Sequence, residues 1–140
     1  MYIYQLSYVS QSVGAMNDHE LQDLLAKARQ YNVSEQLSGV LIYSQGLFLQ
    51  LLEGEEDKVN ALFERIKQDP RHKDILVFFE NYTKHRIFGN WSMAYKATKD
   101  YDLEAKKGIE HFIQGFHNSS VVCTKSEWFD VLNRIQTQQS

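Results

Sequence analysis

Five side chains in this 140-residue sequence carry chemistry beyond packing. Tyr8 offers a phenol able to give up an electron and a proton, and Gln50 an amide whose two ends exchange donor for acceptor when it turns over. Asn32 can read a planar donor–acceptor edge such as a heterocyclic imide. Trp91 and Met93 add a polarizable pair. If Phe48 and Leu52 face a core, the strand period of two puts Gln50 on the same buried face. An unpartnered amide there would cost about 1–3 kcal/mol. Tyr8 is its natural partner if the two strands are neighbours, the phenol donating to the amide oxygen.

Each of these residues also has a plainer reading. Tyr8 and Gln50 can be an ordinary satisfied core pair, Asn32 a helix stop, and Trp91 and Met93 simple core. Arg65, Asp69, Arg71 and His72 crowd the end of a helix, where they either form a solvated cap or hold a phosphorylated tail. Glu53, Glu55 and Glu56 read as a solvated turn and helix start. Taken together, phenol, turning amide, edge-reading Asn and polarizable pair suit a flat conjugated ligand between two helices.

Hydrophobic periodicity gives the scaffold for these groups. Residues 2–9 alternate as a strand, and Asn17 with Glu20 resembles a capping box ahead of Leu21, Leu24, Leu25 and Ala28 at helical spacing. Residues 39–43 and 47–52, joined by Ser44-Gln45-Gly46, predict a hairpin. Glu55, Glu56 and Asp57 precede a helix with the stripe Val59, Leu62, Phe63 and Ile66, stopped by Pro70. A fourth strand falls at 75–79. A fifth has Trp91, Met93 and Tyr95 on one face. Ile109, Phe112, Ile113 and Phe116, then Trp128, Val131, Leu132 and Ile135 after a cap-like Thr124, give two closing amphipathic helices.

The expected fold is therefore α+β: a ferredoxin-like βαββαββ sandwich, with a five-stranded mixed sheet, two helices on one face and two C-terminal helices. Residues 1–97 form the main domain and 98–140 an extension, expected on the open sheet face or at an oligomer interface. The composition excludes several classes. Fifteen basic against eighteen acidic residues give a net charge of −3, with no basic cluster suited to nucleic acid. There is no apolar run of about 20 residues for a membrane span, and no signal peptide, so a cytoplasmic protein is expected. Cys123 is the lone cysteine and the histidines lack ligand spacing, which argues against metal. Nucleophile elbows and phosphate-binding glycine loops are absent, so no enzyme is indicated.

Over residues 2–97 the sequence resembles the BLUF domains, which sense blue light with a non-covalently bound flavin. The resemblance is carried by Tyr8-Val9-Ser10, by Ser38-Gly39-Val40-Leu41 through Phe48-Leu49-Gln50-Leu51-Leu52-Glu53-Gly54, by Asp69-Pro70-Arg71-His72 and by Trp91-Ser92-Met93. It implies a flavin, normally FAD with FMN or riboflavin as substitutes, between the first two helices. Tyr8 then matches the light-essential tyrosine, Gln50 the switching glutamine, and Asn32 the residue at the ring's imide edge. Leu24 and Ile66 would sandwich the ring; Arg65, Asp69, Arg71 and His72 would surround its edge and phosphate tail. Trp91 and Met93 match the strand-five pair, and the inferred sheet sets that fifth strand beside the strand of Gln50. A stand-alone sensor is implied, signalling to a separate effector protein, and a homo-oligomer is expected. The competing expectations are a flavin-free ferredoxin-like interaction domain and a small flavin-dependent oxidoreductase.

Overall fold

The computed structural model describes residues 2–117 and 125–139. Its elements run β1 (Ile3–Ser12), α1 (Asp18–Ser34), β2 (Ser38–Ser44), β3 (Leu47–Gly54), α2 (Glu56–Lys67), β4 (His72–Thr83), β5 (Ala94–Tyr95), α3 (Leu103–His117) and α4 (Lys125–Gln136). They divide into two compact units, Met1–Tyr95 and Lys96–Ser140. No helix among the described residues is long and apolar enough to cross a membrane. The cap expected at Thr124 and the lone Cys123 lie outside the described residues.

In the first unit the strands form one mixed sheet in the order β4-β1-β3-β2-β5. β1 is central and pairs antiparallel with both β3 and β4, whereas β5 runs parallel to β2. The expected five-stranded ferredoxin-like plan is present. Alternation sends Tyr4, Leu6 and Tyr8 of β1 and Phe48 and Leu52 of β3 to one face, where they pack with Leu21 and Leu25 of α1 and Val59 and Phe63 of α2. Both early helices therefore cover the same face.

The local signals act as their chemistry dictates. Asn17 Oδ1 accepts from Glu20 N at 2.8 Å while Glu20 Oε1 accepts from Asn17 N, closing the capping box. The hairpin turns at Gln45 and Gly46, both at positive φ, the pattern that matches strand twist. α1 does not stop at Asn32. It runs on to Ser34, and the reversal falls at Gln36 (φ 58°), with Leu37 N donating to Asn32 O and Gln36 N to Val33 O. α2 ends at Lys67, before Pro70.

Two expectations about the fifth strand need correction. β5 holds only Ala94 and Tyr95, so Trp91 and Met93 precede it and do not share a strand face. The backbone is diverted because α1 takes its carbonyls: Asn32 Nδ2 donates to Ser92 O (2.8 Å) and Arg29 Nε to Met93 O (2.9 Å). Nor does β5 neighbour β3; β2 lies between them.

In the second unit α3 buries Ile109, Phe112 and Ile113, and α4 buries Trp128, Val131, Leu132 and Ile135. Phe112 stacks on Trp128 at 4.8 Å. Asp102 Oδ1 accepts from Ala105 N at 2.9 Å at the start of α3.

Gly39 in β2 shows how tightly the sheet is set. A Cβ there would lie 1.9 Å from the Leu51 carbonyl oxygen, a backbone atom that cannot swing away. Gly39→Ala is expected to cost at least about 2 kcal/mol and to lower the thermal midpoint by roughly 5–10 °C in a circular-dichroism melt. An unchanged midpoint would mean that β2 shifts freely.

Candidate functional site

The β1–β3 register sets Tyr8 directly opposite Gln50. Both are buried, and the Tyr8 hydroxyl donates to Gln50 Oε1 at 2.5 Å. The other end of the amide, Nε2, points at Met93 Sδ, 3.5 Å away. Amide orientation follows from partner chemistry: a thioether sulfur has only lone pairs to offer, so the amide hydrogens belong on that side. Gln50 thus bridges a phenol and a sulfur, reaching across β2 to the segment ahead of β5. Burial, reinforced by the Asp69 carboxylate, holds the Tyr8 phenol well above its ordinary pKa. The phenol keeps its hydrogen throughout the neutral range.

These three residues floor a cavity of about 300 Å³ between α1 and α2. Leu24 and Asn32 come from α1, Arg65 and Ile66 from α2, and Asp69, Arg71 and His72 from the link into β4. All the residues anticipated at the site border it except Trp91. Trp91 is half-buried, its ring edge-on to Phe88 at 6.1 Å.

Asn32 is 1% exposed, and its Oδ1 is a buried side-chain atom with no hydrogen-bond partner among the described residues. An orphaned buried acceptor of this kind calls for a donor from outside the chain.

At the rim, Arg71 grips Asp69 through Nε and Nη2, and this hydrogen bonding holds the Asp69 carboxyl below its usual range. The Arg65 guanidinium lies 4.4 Å over the Tyr31 ring. His72 is held at both nitrogens, Nε2 at 2.7 Å from Ile66 O and Nδ1 at 2.7 Å from Ser10 Oγ. Since a carbonyl only accepts, Nε2 carries the hydrogen and Nδ1 is left to meet the Ser10 hydroxyl. His72 therefore ties α2 to β1, edge-on to the Tyr8 ring at 6.2 Å.

Sequence reasoning passed over Lys27 and Ala28, which line the cavity beside Leu24 and Tyr31. The helical spacing 24, 27, 28, 31 was the available signal. It also misread Glu53. Far from lying in a solvated turn, Glu53 is fully buried. The reason is its place in the middle of the β1–β3–β2 pairing, opposite Gln5 and Ser38.

Comparison with known proteins agrees with this geometry. The family model described as "BLUF: Sensors of blue-light using FAD" matches residues 3–94. The photoactivated adenylate cyclase subunit beta of Euglena gracilis is 34% identical over 89 residues, 63% of this chain but 10% of that protein. The blue light- and temperature-regulated antirepressor BluF of Escherichia coli K12 is 32% identical over 74 residues, 53% of this chain and 18% of that one. This chain thus spans less than a fifth of either relative. The solved photo-activated state of BlsA superposes with a TM-score of 0.79 at 28% identity, over 97% of this chain and 95% of that one. With the match running from the start of β1 to the first residue of β5 and taking in every element that builds the cavity, the chain belongs to the BLUF family of flavin-dependent blue-light sensors.

Proposed function

We propose that the cavity between α1 and α2 holds FAD, with FMN or riboflavin as substitutes, and that light is read by the Tyr8–Gln50–Met93 row on its floor. The observation that carries this reading is the orphaned Oδ1 of Asn32, a residue of the cavity wall. It fits a ligand with a planar N–H, which the imide edge of an isoalloxazine ring supplies. Leu24 and Ile66 provide apolar surfaces from the two opposed helices, and Arg65 and Arg71 provide cations at the rim for a phosphorylated tail. When bound, the flavin supplies absorption of blue light and an acceptor for one electron.

The protein's own part begins at Tyr8, which gives up an electron and its hydroxyl proton, already pointed at Gln50 Oε1. On their return the Gln50 amide is left turned over or tautomerised, with no lasting redox change. A turned-over amide sends its hydrogens toward Tyr8 and its oxygen toward Met93 Sδ, where a thioether cannot donate, so the Gln50–Met93 contact is given up. The two arrangements differ in who donates to whom, which changes the hydrogen bonding offered to the ring and shifts its absorption to the red.

On this reading the chain is a sensor without turnover, in the cytoplasm, that passes its state to a separate effector protein and assembles as a homo-oligomer, with residues 98–140 as the relay. The named relatives, a light-regulated cyclase and an antirepressor, couple light to different outputs, which supports a sensor module indifferent to the output it drives.

The purified protein is expected to be yellow and to shift slightly to the red after a blue flash, recovering in the dark. Tyr8→Phe should keep the flavin and lose the shift; a normal photocycle in that variant excludes Tyr8 as the donor. Asn32→Ala should weaken flavin binding by about tenfold or more, measured by fluorescence titration, because a buried hydrogen bond is removed. The response should show no loss from phenol ionisation up to about pH 10, since burial keeps the Tyr8 phenol protonated. The folded-state pKa lies above the unfolded value, so the linked stability is fully present below about pH 10 and is lost as pH rises towards the folded value. Denaturant titrations at alkaline pH should therefore fall less steeply for Tyr8→Phe than for the parent protein.

A further inference from the structure

Glu53 sits three residues beyond Gln50 on β3, so the two side chains leave opposite faces of one strand. Among the described residues its carboxylate accepts from four donors. Gln5 Nε2 (2.7 Å) and Ile87 N (2.7 Å) meet Oε2; Ser38 Oγ (3.2 Å) and Phe88 N (2.8 Å) meet Oε1. Two of the four are consecutive backbone amides of the β4–β5 connection. The neighbouring Arg86 is fixed to the same spot, Nη1 donating to Ser38 Oγ (3.0 Å) and Nη2 to Gln36 O (2.8 Å). From Phe88 the chain closes a turn, Trp91 N donating to Phe88 O at 3.0 Å, and two residues later reaches Met93 under the Gln50 amide.

We infer that Glu53 is the positioning residue for the light response: it clamps residues 87 and 88 so that Met93 is held within reach of Gln50. This rests on the reading of Gln50 as the amide that light rearranges. Strand β3 then holds the segment 87–93 at both ends, with a contact that switches at Gln50 and one that stays fixed at Glu53. Because the Glu53 end is fixed, a change at Gln50 falls on the Met93 end, where it works against the bonds that Asn32 and Arg29 make to the Ser92 and Met93 carbonyls. A carboxylate suits the fixed end because all four groups aimed at it are donors; an amide in its place would set its own hydrogens against two of them.

Glu53→Gln is the test variant, assayed in the full chain with its bound flavin. Flavin content is expected to be unchanged, and dark recovery of the red-shifted state to slow at least about fivefold, because a slackened Met93 no longer offers the returning amide the acceptor that it meets in the dark. Met93→Ala should mimic this, and combining the two should add nothing beyond Met93→Ala alone. Full additivity, or parental recovery in Glu53→Gln, overturns the inference. The parent protein provides an arm that requires no variant: under hydrogen–deuterium exchange, the Ile87 and Phe88 amides should stay protected in dark and light while protection around Met93 falls on illumination. Light-induced loss at Ile87 and Phe88 also overturns it. Should the parent protein show no light-induced shift at all, it is the reading of Gln50 that fails, and the parental spectrum separates that outcome from a failure confined to Glu53.

Discussion

The hydrogen bond from the Tyr8 phenol to Gln50 Oε1 is the constraint around which the first unit is arranged. An amide on an apolar sheet face must be satisfied, and the phenol that meets this one stands on the adjacent strand. The pairing of β1 with β3, in a register that puts residue 8 opposite residue 50, meets that requirement. A slip of one residue would send Gln50 to the opposite face and leave Tyr8 without its acceptor. What makes the pair useful is that the phenol satisfies only one end of the amide. The other end is left with a sulfur, a weak partner that is easily exchanged.

Helix α1 contributes more than a wall. Its inward side chains supply the apolar surface of Leu24 and the acceptor of Asn32, while Arg29 and the amide of Asn32 take the carbonyls of Met93 and Ser92. A segment that would otherwise extend β5 is held against the helix. Asn32 is thus used at one end only: its nitrogen anchors protein backbone, and its oxygen has no partner among the described residues. A ligand donor engaging that oxygen bears on the same side chain that holds the segment next to Gln50.

Strand β3 is polar at two of its buried positions, and the two differ in kind. Gln50 lies between a phenol and a weakly accepting sulfur, and Glu53 at the meeting point of four donors. A buried acid satisfied in this way specifies one arrangement of the connection between β4 and β5, because any other leaves either the carboxylate or two backbone amides unpaired.

The order of elements was legible in the residues alone, since the periods of two and of 3.6, the Asn17–Glu20 box and the Gln45-Gly46 turn are local signals that local backbone chemistry obeys. The same pattern exposed Gln50 as a polar residue on an apolar face in need of a partner, and the motif string around it pointed to a flavin and away from a ligand-free domain. The places of Trp91, Met93 and Glu53 were settled by tertiary contacts. Trp91, Ser92 and Met93 alternate as a strand would, yet side chains from α1 capture the carbonyls of Ser92 and Met93, which period alone cannot foresee. Glu53 is charged and lies close to two further acids, as a solvated turn would, yet its donors come from positions as far away as residues 5 and 88. Local pattern encodes which face a residue takes; the identity of the groups that meet it there depends on contacts distant in sequence, and for buried polar side chains those contacts set the outcome.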